Sequence, residues 1–177
     1  MLFKILIICF SLFIFNNIYA QDKCELDSTT NLNIFKKDDY KINSYKCFSD
    51  QGIYLKNYIE NSNYKKLVNY YADYSAKEEP ELLAVSVYKN NRMRRPILIT
   101  INRSYYCCTP QIEGHMYKVG LYQITNTKKG INLEDITNIL HEESEGFNGL
   151  AEGKVNYKYK DIFSIKKWLE SNYLKNK

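Results

Sequence analysis

The chain has 177 residues, 45% of them apolar, with 25 basic and 20 acidic side chains and a net charge of +5. That size and balance fit one domain and exclude collagen-like, coiled-coil and wholly disordered chains. It carries 17 Tyr against 2 His, so it is rich in amphipathic rings suited to interfaces and poor in the commonest base and metal ligand.

Residues 1–20 read as a secretory signal: Lys4, an apolar run from Ile5 to Phe15, and the small Ala20 before the polar Gln21-Asp22-Lys23. Asn16 and Asn17 end the run short of the ~18 apolar residues that span a bilayer. No transmembrane anchor is therefore expected after leader removal, and residues 21–177 are expected as a single periplasmic or secreted domain.

Losing the leader also removes Cys9 and leaves Cys24, Cys47, Cys107 and Cys108, an even set that favours two disulfides in an oxidising compartment. A bond between the neighbours Cys107 and Cys108 is the least expected pairing, because it closes a strained ring. In an extended segment the two side chains point to opposite faces, so each is expected to take a different partner from Cys24 and Cys47.

In chain order, Cys24 to Lys46 is polar and aperiodic and reads as irregular. Ser49 and Asp50 look like caps for a helix to about Glu60 carrying Ile53, Tyr54, Tyr58 and Ile59. After a break at Asn61-Ser62-Asn63, Leu67, Val68, Tyr71 and Tyr74 suggest a second helix. Alternation then predicts strands over Leu82 to Lys89, Ile97 to about Cys107, and Met116 to Thr125. Asn132 and Asp135 resemble a capping pair for a helix bearing Leu133, Ile136, Ile139 and Leu140 to about Glu142. Ser144 to Gly153 reads as a glycine-rich loop, Val155 to Tyr159 as a fourth strand, and Asp161 as the cap of a final helix with Ile162, Ile165, Trp168 and Leu169 inward. The expected fold is α+β: a mainly antiparallel four-stranded sheet with helices packed on one face, stapled by disulfides.

Four features could carry function. His141 to Gly146 places Glu142, Glu143 and Glu145 at a helix end, an acidic plug suited to a basic cleft in a partner protein. Arg92, Arg94 and Arg95, with Arg103, are all the arginines of the chain, and guanidinium forks suit phosphate, glycan or carboxylate anions. Tyrosines, among them Tyr105 and Tyr122, could rim a protein interface and exclude water. Cys107, Cys108 or Ser104 could be a nucleophile with His115 or His141 as base, although no nucleophile-elbow motif is present. The adjacent carboxylates Asp38-Asp39 and Glu78-Glu79 look like solvated turns.

No glycine-rich phosphate loop, CxxC motif, dinucleotide fingerprint or calcium loop occurs, so no cofactor or metal is indicated. Modest charge and export argue against nucleic acid. The expected function is protein binding that occludes a partner, most concretely a periplasmic immunity or inhibitor protein against an envelope-targeted toxin or hydrolase. A small hydrolase and an anion- or glycan-binding module are the alternatives.

Overall fold

The computed structural model describes residues 23–35, 40–109 and 111–174. The proposed leader at 1–20 and the Asp38-Asp39 pair lie outside the described residues.

The first half of the chain forms an antiparallel meander: β1 (Lys23–Asn31), β2 (Lys41–Ser49), β3 (Gly52–Asn61) and β4 (Tyr64–Ala72), paired in sequence order. The second sheet contains β5 (Glu81–Tyr88), β6 (Ile97–Thr109), β7 (Ile112–Thr127), β9 (Glu145–Ala151) and the two-residue β10 (Lys154–Val155), in the order β10-β9-β7-β6-β5. The long β7 uses one edge for β6 and divides the other between β9, along residues 112–118, and β8 (Gly130–Asp135), along residues 122–127.

The α+β expectation is thus corrected to a mostly β fold of two antiparallel sheets. Helical geometry among the described residues is confined to a 3-10 segment (Thr137–Ser144), α1 (Ile162–Trp168) and a single π turn (Leu169–Tyr173). The expected first two helices are β3 and β4. Ser49 and Asp50 are not helix caps but part of the β2–β3 turn, where the Ser49 hydroxyl donates to the Gly52 carbonyl at 3.0 Å. The break at Asn61 to Asn63 is also a hairpin turn, closed by Asn63 N–H donating to Asn61 Oδ1 at 2.9 Å.

The residues taken for one helical face around 132–142 serve two cores. Leu133 packs in a first core, between the two sheets, whereas Ile136, Ile139 and Leu140 pack in a second, on the other face of the second sheet. Backbone at His141, with φ 52° and ψ −137°, interrupts the 3-10 segment. The supposed loop after Ser144 is largely β9. The supposed fourth strand shrinks to β10, because the chain leaves β9 after Val155 and turns at Lys158 and Tyr159 ahead of α1, with Tyr157 and Tyr159 buried. The strands expected from 82, 97 and 116 form as β5, β6 and β7, and Asp161 caps α1 by accepting from Ser164 N–H at 2.8 Å.

The sheets pack face to face. At one end the interface is apolar, with Ile42 and Ile59 from the first sheet against Leu98, Ile124 and Ile131 from the second. Toward the other end it becomes polar. Asn57 Nδ2 donates to Asn69 Oδ1 at 2.7 Å and to Asn102 Oδ1 at 3.0 Å, while Asn69 Nδ2 donates to Thr100 Oγ1 at 3.0 Å and to the Tyr122 hydroxyl at 3.2 Å. Tyr71 and Ser104 share a hydrogen bond at 2.8 Å, and burial pushes the Tyr71 phenol up to about 12. Ser44, opposite Asn57 in register, is fully buried, and its hydroxyl has no hydrogen-bond partner among the described residues. The opposite face of the second sheet carries the other core, where Ile97, Ile99, Ile101, Val119 and Leu121 meet Leu140, Tyr157, Tyr159, Ile165 and Leu169.

Both disulfides form, but not in the expected pairing. Cys24 bonds Cys47 across the β1–β2 ladder, and Cys107 bonds its neighbour Cys108. The local backbone makes this possible: β6 and β7 lose register between Tyr106 and Thr109, and Cys108 lies at φ 75°. The alternating extended geometry that would separate the two side chains is broken at that point.

Candidate functional site

Strand register places Tyr45 and Cys47 of β2, Tyr54, Lys56 and Tyr58 of β3, and Leu67 and Tyr70 of β4 on one face of the first sheet, the face directed away from the second sheet. Successive strand residues alternate faces, so Leu55, Asn57 and Ile59 turn to the core while their neighbours turn outward. Leu67, Tyr70 and Tyr74 are 44%, 50% and 41% exposed, which leaves a broad amphipathic surface open.

The rings are ordered by one another. Tyr45 and Tyr58 meet edge to face with centroids 5.7 Å apart, and Lys65 Nζ sits 4.5 Å from each ring centre. Burial works against the Lys65 ammonium, but hydrogen bonding to Tyr45 and the nearby Glu60 charge outweigh it, so its pKa is raised. Glu60 also lies 3.7 Å from Lys41 and accepts a hydrogen bond from the buried Asn43. Tyr54 and Tyr70 pack at 4.9 Å, and the Tyr70 and Tyr74 hydroxyls share a hydrogen bond at 3.0 Å. With Ser49, Asp50, Gln51 and Lys56, these three tyrosines line an open cleft of about 490 Å³. On the far side of Tyr74 a second depression of about 200 Å³ runs between Gln51 and the Asp73 to Pro80 segment.

The acidic segment singled out in the sequence is engaged within the chain. Glu143 is ion-paired with Lys158 and accepts from the Tyr159 hydroxyl at 3.1 Å, and the Lys158 hydrogen bond leads in holding its carboxyl below the usual range. Glu145 pairs with Lys118 at 2.5 Å across β9 and β7, and Glu142 is exposed. Tyr105 and Tyr122 do not join these carboxylates in a rim. Tyr122 is buried between the sheets with its hydroxyl on Asn69, and Tyr105 stacks at 5.0 Å on His115 and donates to Glu113 at 3.4 Å.

Tyr105 begins a continuous row of rings on the other face of the second sheet: Tyr105, His115, Tyr117, Tyr157, Tyr159 and Trp168, with successive centroids 5.0 to 6.3 Å apart. Burial, followed by the Arg103 guanidinium, lowers the His115 pKa.

As for the candidate nucleophiles, Ser104 Oγ is bonded to the Tyr71 hydroxyl, and the sulfurs of Cys107 and Cys108 are bonded to each other. Arg92, Arg94 and Arg95 are brought together around a cleft, whereas Arg103 lies apart and is ion-paired with Glu81. No group of three or more His, Cys, Asp and Glu side chains among the described residues is arranged to hold a metal ion. No helix among them is long and apolar enough to cross a membrane.

The outer tyrosine face as a unit was not anticipated, because its residues were divided between two supposed helices. The period-two run Tyr54, Lys56, Tyr58 was the available signal. The chain matches no known protein family, and no characterised protein or solved structure is significantly similar to it.

Proposed function

We propose that this chain is an exported protein-binding domain that works by covering a site on a partner, most concretely an immunity or inhibitor protein against a toxin or hydrolase acting in the cell envelope. The observation that carries the reading is the outer face of the first sheet, where Tyr45, Tyr58, Tyr70 and Tyr74 present ordered rings with polar tips beside an open cleft. Tyrosine supplies large contact area at low entropic cost and tolerates both a wet rim and a dry centre. Lys41, Lys56 and Lys65 surround the rings against two carboxylates, Glu60 and the cleft residue Asp50, so the face keeps a cationic excess that a carboxylate-bearing partner surface would complement. The two disulfides favour an oxidising compartment for such a domain.

The test compares capture of envelope and secreted proteins by three forms of the mature chain: unaltered, Tyr70→Ser/Tyr74→Ser, and Glu142→Lys/Glu143→Lys/Glu145→Lys. A stoichiometric partner that inhibits or is inhibited, retained by the glutamate variant and lost by the tyrosine variant, is the expected result. Loss only in the glutamate variant would move the interface to the acidic segment. Capture of no stoichiometric partner would overturn the reading.

A further inference from the structure

The turn between β5 and β6 holds three of the chain's four arginines on a firm base. Arg92 N–H donates to Asn90 Oδ1 at 2.9 Å, Met93 N–H donates to the Asn90 carbonyl at 2.8 Å, and Asn90 Nδ2 donates to the Tyr88 hydroxyl at 3.2 Å. Met93 packs into the second core, and Pro96 accepts from Ile124 N–H at 2.8 Å. The backbone that carries the guanidinium groups is therefore fixed before any ligand arrives.

Arg92, Met93, Arg94, Arg95 and Gln123 line a cleft of about 460 Å³. Gln123 is 9% exposed and held from both ends: its Nε2 donates to the Tyr173 hydroxyl at 3.1 Å and its Oε1 accepts from Arg95 Nη1 at 3.4 Å. Arg95 also reaches Glu134, at 3.4 Å, but that pair is exposed on both sides and weak. Neither Arg92 nor Arg94 has an acidic partner among the described residues. Three positive charges thus converge on one cleft with a single loosely held carboxylate beside them, an arrangement that an incoming dianion relieves.

We propose that this cleft is a binding site for a phosphate monoester carried on a larger molecule. The guanidinium forks would take the phosphate oxygens and the Met93 wall the organic remainder. A carboxylate offers two oxygens to three forks, whereas a phosphate monoester offers three and nearly two charges. This site is separate from the tyrosine face and does not rest on the protein-binding reading.

The probes are glycerol 3-phosphate in solution, followed by thermal shift and calorimetry, and phosphatidylcholine vesicles with or without phosphatidic acid, followed by co-sedimentation. Saturable binding to glycerol 3-phosphate assigns a soluble phosphorylated ligand, and binding only to phosphatidic acid vesicles assigns a lipid headgroup. Arg92→Gln/Arg94→Gln should weaken binding by about tenfold or more, and Arg94→Lys, which keeps the charge but removes the fork, should also weaken it. Lys128→Gln/Lys129→Gln, in the β7–β8 turn, should leave it unchanged. Circular dichroism melting of each variant without ligand confirms that folding is intact. Absence of saturable binding to both probes, or equal loss in the arginine and lysine variants, would overturn the proposal.

Discussion

The ring of Tyr157 lies directly against the backbone of Gly146: a methyl group on Gly146 would come within 2.2 Å of Tyr157 Cδ2. Glycine is required here because β9 must pass beneath a buried ring, not because a turn demands it. The same ring donates from its hydroxyl to the Glu143 carbonyl at 2.7 Å, tying the residues after β10 to the 3-10 segment. Gly146→Ala should therefore lower stability by about 2 kcal/mol, since a fully packed site must shift to admit the methyl group. Urea unfolding measures this, and an unchanged midpoint would mean that Tyr157 does not pack on β9.

The polar layer between the sheets makes two opposite predictions. Asn102→Ala removes one of the two acceptors of the buried Asn57 amide and leaves one of its N–H groups unpaired, and should destabilise by about 1 to 3 kcal/mol. Ser44→Ala removes a buried hydroxyl that has no partner among the described residues, and should leave stability unchanged or raise it by about 1 kcal/mol. Equal losses in both variants would show that the Ser44 hydroxyl is bonded.

His115 should make the fold sensitive to mild acid. Burial and the Arg103 charge lower its pKa in the folded chain, against the opposing pull of Glu81 and Glu78. Between the ordinary histidine value of about 6.5 and the lower value in the fold the unfolded chain binds more protons than the folded one, so this contribution is full above about pH 6.5 and is lost progressively as pH falls from there through the folded value. The melting temperature of the unaltered chain should drop more between neutral pH and pH about 5.5 than that of His115→Gln, and parallel profiles would remove the effect.

The two disulfides should differ sharply in worth. Cys24 and Cys47 are 23 positions apart, and opening that loop through Cys24→Ser/Cys47→Ser should cost about 3 kcal/mol in chain entropy. Cys107→Ser/Cys108→Ser opens almost no loop, so its unfolding midpoint should move little. Cys108 is exposed and Cys107 half-buried, whereas in the other bridge Cys24 is exposed but Cys47 is fully buried, so only one of its two sulfurs is open to attack. Graded reduction with alkylation and peptide mapping should label Cys107 and Cys108 first. Earlier labelling of Cys24 and Cys47 would contradict that order.

Parts of this architecture were legible in the residues and parts were masked by its own chemistry. β5, β6 and β7 were readable because Val85, Val87, Ile97, Ile99 and Ile101 alternate with their neighbours, and Asp161 announced α1. β3 and β4 were read as helices because their core-facing positions include Asn57 and Asn69, while Tyr54, Tyr58 and Tyr70 occupy the outer face. Polar residues inside and large rings outside erase the period-two contrast. β9 was read as a loop because Gly146 and Gly149 are there for close approach, not for flexibility. The arginines were visible as a cluster, but their convergence with Gln123 depends on the long-range pairing of β6 with β7. The vicinal disulfide was unforeseeable while that segment was assumed to be regularly extended.

The pairing of Cys24 with Cys47 and of Cys107 with Cys108, each with the next cysteine along the described residues, has a consequence for biogenesis. A polypeptide that enters an oxidising compartment N-terminus first can close each bridge as soon as its two sulfurs emerge. The nascent Cys24–Cys47 hairpin need not wait for any downstream cysteine, and no early bond has to be undone to reach the final set. In such a compartment, forming these two bonds in chain order needs an electron acceptor but no exchange of one disulfide for another.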